Sequence, residues 1–196
     1  DVGLSALITT SAGEKVDHPR FYRTAQRALR VAQRRVARRT KGGKNRRKAV
    51  AMLQRQHERI ANQRKDYLNK LAHDLTTRYD RIALEDLMIT RMVHGNLAKS
   101  ILDAGWGYLV QRLTFKAASA GRVVMLVDPN YTSKTCSQCG HIFESLSLKD
   151  RWVTCACGLS LDRDHNAAIN ILNRGGQLRW SLNSPIGELG QEAVGL

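Results

Sequence analysis

Long apolar runs and a secretion leader are both missing from this 196-residue chain. No stretch of about 18 apolar residues occurs, which argues against a membrane-spanning helix. No charged and then apolar leader opens the sequence, so we do not expect secretion. Proline is scarce, with three residues, whereas 42% of the chain is hydrophobic. This composition is sufficient for a buried core and predicts one domain with an insertion, or two small domains.

Acidic residues are almost absent from residues 20–65. This segment contains 17 lysines and arginines and one acid, Glu58, so its formal charge is 17 − 1 = +16. The rest of the chain has 15 basic and 16 acidic residues, a charge of −1. A solvated face normally mixes both signs, so density of one sign on this scale indicates a polyanionic partner. We favour nucleic acid, because adjacent cationic helices suit phosphate neutralisation; an anionic membrane surface and an acidic protein are the alternatives.

Two amphipathic helices are predicted within this basic segment. Apolar residues recur at steps of three and four over residues 21–36 and again over residues 50–75. Gly42-Gly43 separates the two patterns, so we predict an antiparallel helical hairpin with an apolar seam and a basic outer face. The candidate nucleic-acid contacts are its cationic residues near the turn: Arg27, Arg30, Arg34, Arg35, Arg38, Arg39, Lys41, Lys44, Arg46, Arg47 and Lys48.

Strand patterns lie on either side of the hairpin. Residues 2–9 alternate as a strand does, and residues 81–84 predict a short strand that leads into Glu85. The apolar run at 122–127 is typical of a strand buried on both faces. Further helices are predicted over 96–120 and 164–173, and the tail after Gly175-Gly176 is predicted to be largely irregular. Strands that alternate with helices predict an α/β core.

All four cysteines lie close together in the sequence, as the pairs Cys136/Cys139 and Cys155/Cys157. Two close pairs separated by a hairpin-length loop form a metal-binding pattern, and the glycine after each pair permits a left-handed turn. Four thiolates would close a tetrahedral zinc site to water, so we predict a structural role. An iron centre is the alternative ion, and two disulfides are the alternative without a metal.

Three carboxylates have suggestive positions in the predicted elements. Asp1 begins the first strand, Glu85 ends the second, and Asp164 starts the last helix. Converging carboxylates bind hard divalent ions such as magnesium, and two such ions can act on a phosphodiester. The spacing does not select these residues, because Asp162 or Asp164 equally fits a helix N-cap and Glu85 equally fits an exposed strand end.

Several motifs resemble those of TnpB-type proteins, which are encoded by insertion sequences and contain a RuvC-like nuclease core. The stretch at 129–140 (PNYTSKTCSQCG) is similar to the entry of their zinc ribbon, and 162–172 (DRDHNAAINIL) is similar to their closing motif. The segments at 1–4 (DVGL) and 82–87 (IALEDL) resemble their first two acidic motifs. The resemblance extends from residue 1 to about residue 174.

The resemblance implies an RNA-guided DNA endonuclease of prokaryotic cytoplasm, associated with the nucleoid, with DNA and guide RNA as partners. Its fold would be an RNase H-like (RuvC) α/β core over residues 1–127, with the basic hairpin inserted at about 20–78. A zinc ribbon would follow at 128–160, then a closing helix at 161–174 and a tail at 175–196. By motif, Asp1, Glu85 and Asp164 would bind catalytic magnesium or manganese, and the cysteines would bind structural zinc. The basic hairpin would lie against the guide–target duplex.

The chain departs from the family pattern at its first residue, which is Asp1 rather than Met. Family members carry an RNA- and duplex-binding region before the first catalytic acid, so we expect a truncated product with an impaired Asp1. The alternative function is therefore a zinc-containing remnant that binds DNA or RNA without cleaving it. A purely RNA-binding protein of ribosomal type is a third hypothesis, in which Glu85 and Asp164 have no catalytic role.

Overall fold

The computed structural model describes residues 1–147, 149–178 and 194–195, which form a mixed α/β fold. The predicted α/β class is confirmed at this level. In chain order, the elements are β1 (Ala6–Thr9), β2 (Lys15–Asp17), α1 (Phe21–Ala37), α2 (Lys44–Arg78), β3 (Arg81–Glu85), α3 (Ile89–Met92), α4 (Ala98–Ala104), α5 (Trp106–Ser119), β4 (Val123–Val127), β5 (Trp152–Thr154), β6 (Ser160–Asp162), α6 (Arg163–Leu178) and β7 (Val194–Gly195). None of the described helices is long and apolar enough to cross a membrane.

A parallel sheet in the order β4-β3-β7 lies at the centre of the fold. The middle residues of β3, from Ile82 to Leu84, are buried because helices pack against both faces of this strand. The prediction that 122–127 is buried on both faces is wrong, since Val123 is 38% and Leu126 45% exposed. In the described part of the chain β4 pairs with β3 alone, so β4 is an edge strand. The prediction failed because an apolar run in the sequence does not reveal how many neighbouring strands a strand has.

The first strand is shorter than the predicted 2–9. Residues 1–3 fold back on β1 as a tight hairpin: Val2 bridges Ile8, and the Gly3 amide donates to the Leu7 carbonyl over 3.2 Å. The alternating pattern is the same for one long strand and for two short ones joined by a bend, which explains the error. The structure therefore places Asp1 beside Thr9, at the end of β1.

The helical hairpin is formed by α1 and α2, which lie where the periodicity predicts them. Gly42, with φ +85°, makes the left-handed turn between the helices. The 35 residues of α2 correspond to a length of about 52 Å. Its buried side chains are dense only over residues 68–76, where α2 packs on α5 around Leu75 and Leu113, and sparse towards the turn of the hairpin.

Asp103, which is 2% exposed, anchors the base of the hairpin to the core. Its carboxylate accepts the Tyr22 amide of α1 over 2.9 and 3.0 Å and an Arg64 guanidinium N–H of α2 over 3.3 Å. The predicted single helix over 96–120 is divided into α4 and α5 at Gly105, with φ +71°. The left-handed φ favours glycine there, and a Cβ would also lie 2.9 Å from Leu68 Cδ1, so a larger residue would displace that side chain of α2.

The chain after β4 forms a small ribbon and then α6. Strands β5 and β6 pair antiparallel, and α6 packs on the sheet. Helix α6 extends past the predicted closing helix, through Gly175 and Gly176, and Val194–Gly195 pairs with β3, so these six residues of the tail that was predicted to be largely irregular are regular. Gly175 is buried against Ala83, so it is a packing residue rather than a helix stop. Predictions for residues 179–193 and 196 lie outside the described residues.

Candidate functional site

The four cysteines converge on one point of the ribbon, and their sulfur atoms all lie within 4.8 Å of one another. Cys136 Sγ lies 3.7 Å from Cys157 Sγ, and Cys139 Sγ lies 3.6 Å from Cys155 Sγ. Cys136 and Cys155 are buried, whereas Cys139 and Cys157 are exposed. His141, which follows the first pair, is not part of the set and stacks edge-on against Phe143.

Two tight turns produce this convergence. The Gly140 amide donates to the Cys136 carbonyl over 2.9 Å, and the Gly158 amide donates to the Cys155 carbonyl over 3.0 Å. Both glycines have the left-handed conformation, with φ +79° and +94°, which the sequence predicted for these positions. Pairing of β5 with β6 closes the hairpin that carries the second turn.

The cysteine set fits a tetrahedral ion better than it fits disulfides. All four thiols are free, and the sulfur separations of 3.6 and 3.7 Å are far longer than an S–S bond. Metal–sulfur bonds of about 2.3 Å in a tetrahedron place sulfurs about 3.8 Å apart. Burial raises the pKa of Cys136, but backbone amides of Cys139 and Gln138 and the neighbouring thiols lower it to about 7 overall. At Cys136 this favours the thiolate, which is the ligand form. At Cys139 a backbone hydrogen bond from His141 lowers the pKa, but the neighbouring thiols raise it to about 12 overall, so the lowered pKa is confined to the buried member of the first pair.

Glu85, at the end of β3, is partly buried beside the loop that enters the ribbon. The Thr132 hydroxyl donates to Glu85 Oε1 over 2.5 Å. Burial raises the pKa of Glu85, although the Thr132 hydrogen bond and the charges of the Asp1 α-amino group and Arg174 lower it in part. A partly desolvated carboxylate with nearby hydrogen-bond support is a typical metal ligand or catalytic acid–base group.

Asp1 lies in the same region, because the hairpin at residues 1–9 brings it towards β3 and α6. Its carbonyl accepts the Thr9 amide over 2.9 Å, and its α-amino group donates to the Thr9 carbonyl over 3.0 Å. Burial lowers the pKa of this α-amino group to about 5, while the carboxylates of Glu85 and Asp164 act to raise it. The α-amino group of Asp1 therefore interacts with the carboxylates of both Glu85 and Asp164.

Asp164 and Asp162 have different roles, which spacing alone does not distinguish. Asp162 Oδ1 accepts the amides of Asp164 over 3.0 Å and His165 over 3.2 Å, so Asp162 is the helix cap of α6. Partial burial raises the pKa of Asp162, but hydrogen bonds from Lys15 and these two amides outweigh it and hold the pKa below its ordinary value. Asp164 lies in the first turn with its carboxylate free of the capping role.

The three predicted acids share one region without forming a closed cluster. Among the described residues, only the cysteines bring three or more candidate ligand atoms within 4.8 Å of one another. Asp1, Glu85 and Asp164 have carboxylate oxygens, the atom type that hard divalent ions prefer, but these oxygens do not all lie within 4.8 Å of one another as the cysteine sulfurs do.

Two asparagines of α6 belong to the closing motif, and the sequence patterns assign them no role. Asn166 and Asn170 are 0% and 8% exposed. Asn170 Nδ2 donates to the carbonyls of Thr132 (2.8 Å) and Thr135 (2.7 Å), and Asn166 Nδ2 donates to the Thr135 carbonyl (2.7 Å). Asn166 Oδ1 also accepts the Ser137 amide over 2.9 Å. The sequence shows that the two asparagines lie on one face of the helix, because they are four residues apart. It does not show which loop they hold, because that loop is distant in the sequence.

The predicted nucleic-acid residues form a cationic surface around the hairpin turn. All eleven are exposed except Arg46, which is half-buried, and none forms an ion pair within the described part of the chain. A groove of about 450 Å³ runs between α1 and α2, with Val31 and Met52 in its wall and Arg27 and Arg35 at its side. Unpaired cations next to an apolar groove suit a polyanion that also has apolar faces, as nucleic acids do.

Comparison with known proteins places these features in a family. The profile of the OrfB_IS605 family, described as probable transposases, matches residues 1–95, and the profile of the Cas12f1-like TNB domain matches residues 106–171. A Streptomyces pristinaespiralis protein, provisionally named an RNA-guided DNA endonuclease, is 40% identical over 177 residues. The chain belongs to the TnpB family. The resemblance seen in the four sequence motifs is thereby confirmed.

Other family members extend the comparison. InsQ of Escherichia coli K12, with a similar provisional name, is 32% identical over 89% of this chain. The chain spans 44% of the length of the Streptomyces protein and 48% of that of InsQ. The Cas12f1 chain in a solved Cas12f1–sgRNA–target DNA complex is 20% identical and superposes with a TM-score of 0.61, over 87% of this chain and 47% of that one. The fold is therefore similar to that of Cas12f1.

Proposed function

We propose that the chain is the catalytic part of a metal-dependent, RNA-guided DNA endonuclease with a RuvC-like, RNase H-like core. The observation that supports this most directly is that the Asp1 α-amino group lies close enough to the Glu85 and Asp164 carboxylates for both to act to raise its pKa. The names of the relatives, which include RNA-guided DNA endonucleases and Cas12f1, point to the same chemistry.

In this proposal the three acids hold the catalytic ions. When bound, magnesium or manganese would supply the charge that activates a water and stabilises the leaving 3′ oxygen. Glu85 offers Oε2, while its Oε1 accepts the Thr132 hydroxyl and keeps a second lone pair. Asp164 offers both oxygens, because Asp162 caps the helix in its place. Asp1 would complete the set from the turn beside β1.

The ribbon and the hairpin would hold the nucleic acids. The cysteines would bind zinc as a structural ion, and the ribbon would seat the target strand near Glu85, to which it is joined through Thr132. The cationic surface would neutralise phosphates of the guide RNA–DNA duplex, where base pairing determines the sequence and the protein contacts shape and backbone. On this division, residues 1–127 are the core, 128–160 the ribbon and 161–174 the closing helix.

The nuclease proposal is tested by cleavage of end-labelled single-stranded DNA with Mg²⁺ or Mn²⁺. We expect Glu85→Gln and Asp164→Asn to abolish cleavage while DNA binding, measured by fluorescence anisotropy, remains. Asp86→Asn is the matched control, because Asp86 is the exposed neighbour of Glu85. Binding without any metal-dependent cleavage by the unaltered chain would instead favour a non-catalytic, zinc-containing nucleic-acid-binding protein.

The cationic surface is tested through the salt dependence of binding. Replacing Arg34 and Arg35 with glutamine should reduce the slope of log K against log salt by about 0.7 to 0.9 for each phosphate that the protein no longer neutralises. Arg78→Gln is the control, because its guanidinium is already paired with Glu14 (3.0 Å) and Asp74 (2.6 Å). Equal slopes for the double variant and the control would remove this surface from the binding site.

A further inference from the structure

Thr132 connects the candidate active site with the ribbon. The residue is 4% exposed, and its hydroxyl lies 2.5 Å from Glu85 Oε1 and 3.1 Å from the Pro129 carbonyl. A hydroxyl has one hydrogen to donate, and the shorter contact with an anionic acceptor is the stronger one. The Thr132 hydroxyl therefore donates its hydrogen bond to Glu85. Within the described residues no other side chain donates a hydrogen bond to this carboxylate.

The backbone of Thr132 is itself held by α6. Asn170 Nδ2 donates to the Thr132 carbonyl over 2.8 Å and to the Thr135 carbonyl over 2.7 Å. Asn166, one turn earlier, donates to the same Thr135 carbonyl, which immediately precedes Cys136. Both asparagines are almost fully buried, so these hydrogen bonds are made in a protected environment where an unpaired amide is costly. The loop cannot shift by a residue without leaving them unpaired.

We propose that Thr132 is a positioning residue for the metal ligand Glu85, and that the Asn166–Asn170 pair holds it in place; this rests on the proposed nuclease function. Engaging Oε1 fixes the rotamer of Glu85 and leaves Oε2 as the oxygen offered to the ion. Because the helix that carries Asp164 also holds Thr132 through its asparagines, two of the three acids are oriented by one element.

The expected magnitude follows from how such outer partners behave in metal sites. Loss of a hydrogen bond that orients a metal ligand typically reduces metal affinity by about 10- to 100-fold. Thr132→Val removes the hydroxyl and keeps the branched shape, so we expect a loss of about that size in Mn²⁺ affinity. Thr132→Ser keeps the hydroxyl and should restore affinity to within about threefold of the unaltered chain, since the same donor is present.

The experiment measures Mn²⁺ binding to the zinc-loaded chain by electron paramagnetic resonance and calorimetry, and cleavage separately. Thr114→Val is the matched control, because its hydroxyl donates to the Val110 carbonyl within α5, and it should leave Mn²⁺ affinity unchanged. Zinc content and the midpoint of chemical unfolding verify that each variant is folded. Thr132→Ala removes the same hydroxyl and replaces the valine variant if valine does not pack.

The outcomes separate this inference from the proposed function. Weak Mn²⁺ binding by Thr132→Val, with rescue by Thr132→Ser and intact zinc content, supports the positioning role. If Glu85→Gln weakens Mn²⁺ binding but Thr132→Val and Thr132→Ala do not, the positioning role is overturned and the nuclease proposal remains. If Glu85→Gln has no effect on Mn²⁺ affinity, Glu85 is not a ligand, and both proposals are overturned together.

Discussion

Two adjacent glycines in α6 should respond in opposite directions to the same substitution. A Cβ at Gly175 would lie 2.7 Å from Ala83 Cβ and 3.4 Å from Met125 Cε, whereas a Cβ at Gly176 would meet nothing within 4 Å. Ala83 belongs to the rigid centre of β3 and is completely buried, so it cannot move aside cheaply. The helix must instead separate from the sheet, two residues along β3 from Glu85.

The magnitudes follow from two opposing contributions. Replacing a helical glycine with alanine stabilises a helix by about 0.5–1 kcal/mol, chiefly by restricting the unfolded chain. Gly176→Ala should gain part of this stabilisation, because the residue lies in the last turn of α6, where the helix is less constrained. Overpacking a core costs about 1–3 kcal/mol, so Gly175→Ala should be destabilised by about 0–2.5 kcal/mol. The two variants should therefore differ by about 1–3 kcal/mol in the free energy of unfolding.

The assay is urea denaturation of the zinc-saturated chain, followed by circular dichroism, with both variants and the unaltered chain measured in parallel. Similar m-values would confirm that the same surface is exposed on unfolding in each case. A Gly175→Ala variant as stable as Gly176→Ala would refute the close packing of α6 on β3. It would also return Gly175 to the role of a helix terminator that its sequence context indicates.

Three further predictions concern capping, anchoring and metal binding. Asp162→Ala should lower the free energy of unfolding by about 1 kcal/mol and Asp162→Asn by less, because asparagine still caps the helix. Since the folded pKa of Asp162 is lowered, the stabilisation by its carboxylate is complete above about pH 4 and is lost as pH falls through the folded pKa. Equal stabilities of the two variants in a denaturation series from about pH 7 to 3 would contradict this. Asp103→Ala should lower the free energy of unfolding by about 2–3 kcal/mol, because the Tyr22 amide and Arg64 lose their acceptor, and Asp103→Asn should lower it less. Unfolding midpoints equal to that of the unaltered chain would show that this anchor contributes nothing. Cys139→Ser should reduce bound zinc below one ion per chain by elemental analysis, with Ser137→Ala as the control, and an unchanged zinc content would exclude Cys139 as a ligand.

Local patterns predicted the parts of the fold that depend on local interactions. Helices α1 and α2 follow from apolar spacing and the Gly42 turn, and the cysteines converge because two short turns and one hairpin are enough to bring them together. The end of β3 at Glu85 was also correctly predicted. In each case the interacting residues are near one another in the chain, so spacing alone contains the information.

Features that depend on distant partners were not predictable in the same way. Gly175 has the sequence context of a helix stop, and only the position of Ala83 on a strand ninety residues earlier makes it a contact point. Asp162 and Asp164 fit a cap equally well until the geometry assigns the cap to Asp162. Likewise, the partners of Asn166 and Asn170 lie about thirty to forty positions away, where no periodicity connects them.

Several residues of α6 make different contacts: Asp164 interacts electrostatically with the Asp1 α-amino group, His165 contacts the Ser11 carbonyl over 2.9 Å, Asn166 and Asn170 hold the ribbon loop, and Gly175 packs against the sheet. One inserted or deleted residue within it would turn everything downstream by about 100° and shift it by about 1.5 Å along the axis. Substitutions can be tolerated singly, but a change of length disrupts all the later interactions of the helix at once. We therefore expect related proteins to differ from this chain in the residues of α6 but to keep the length of the helix.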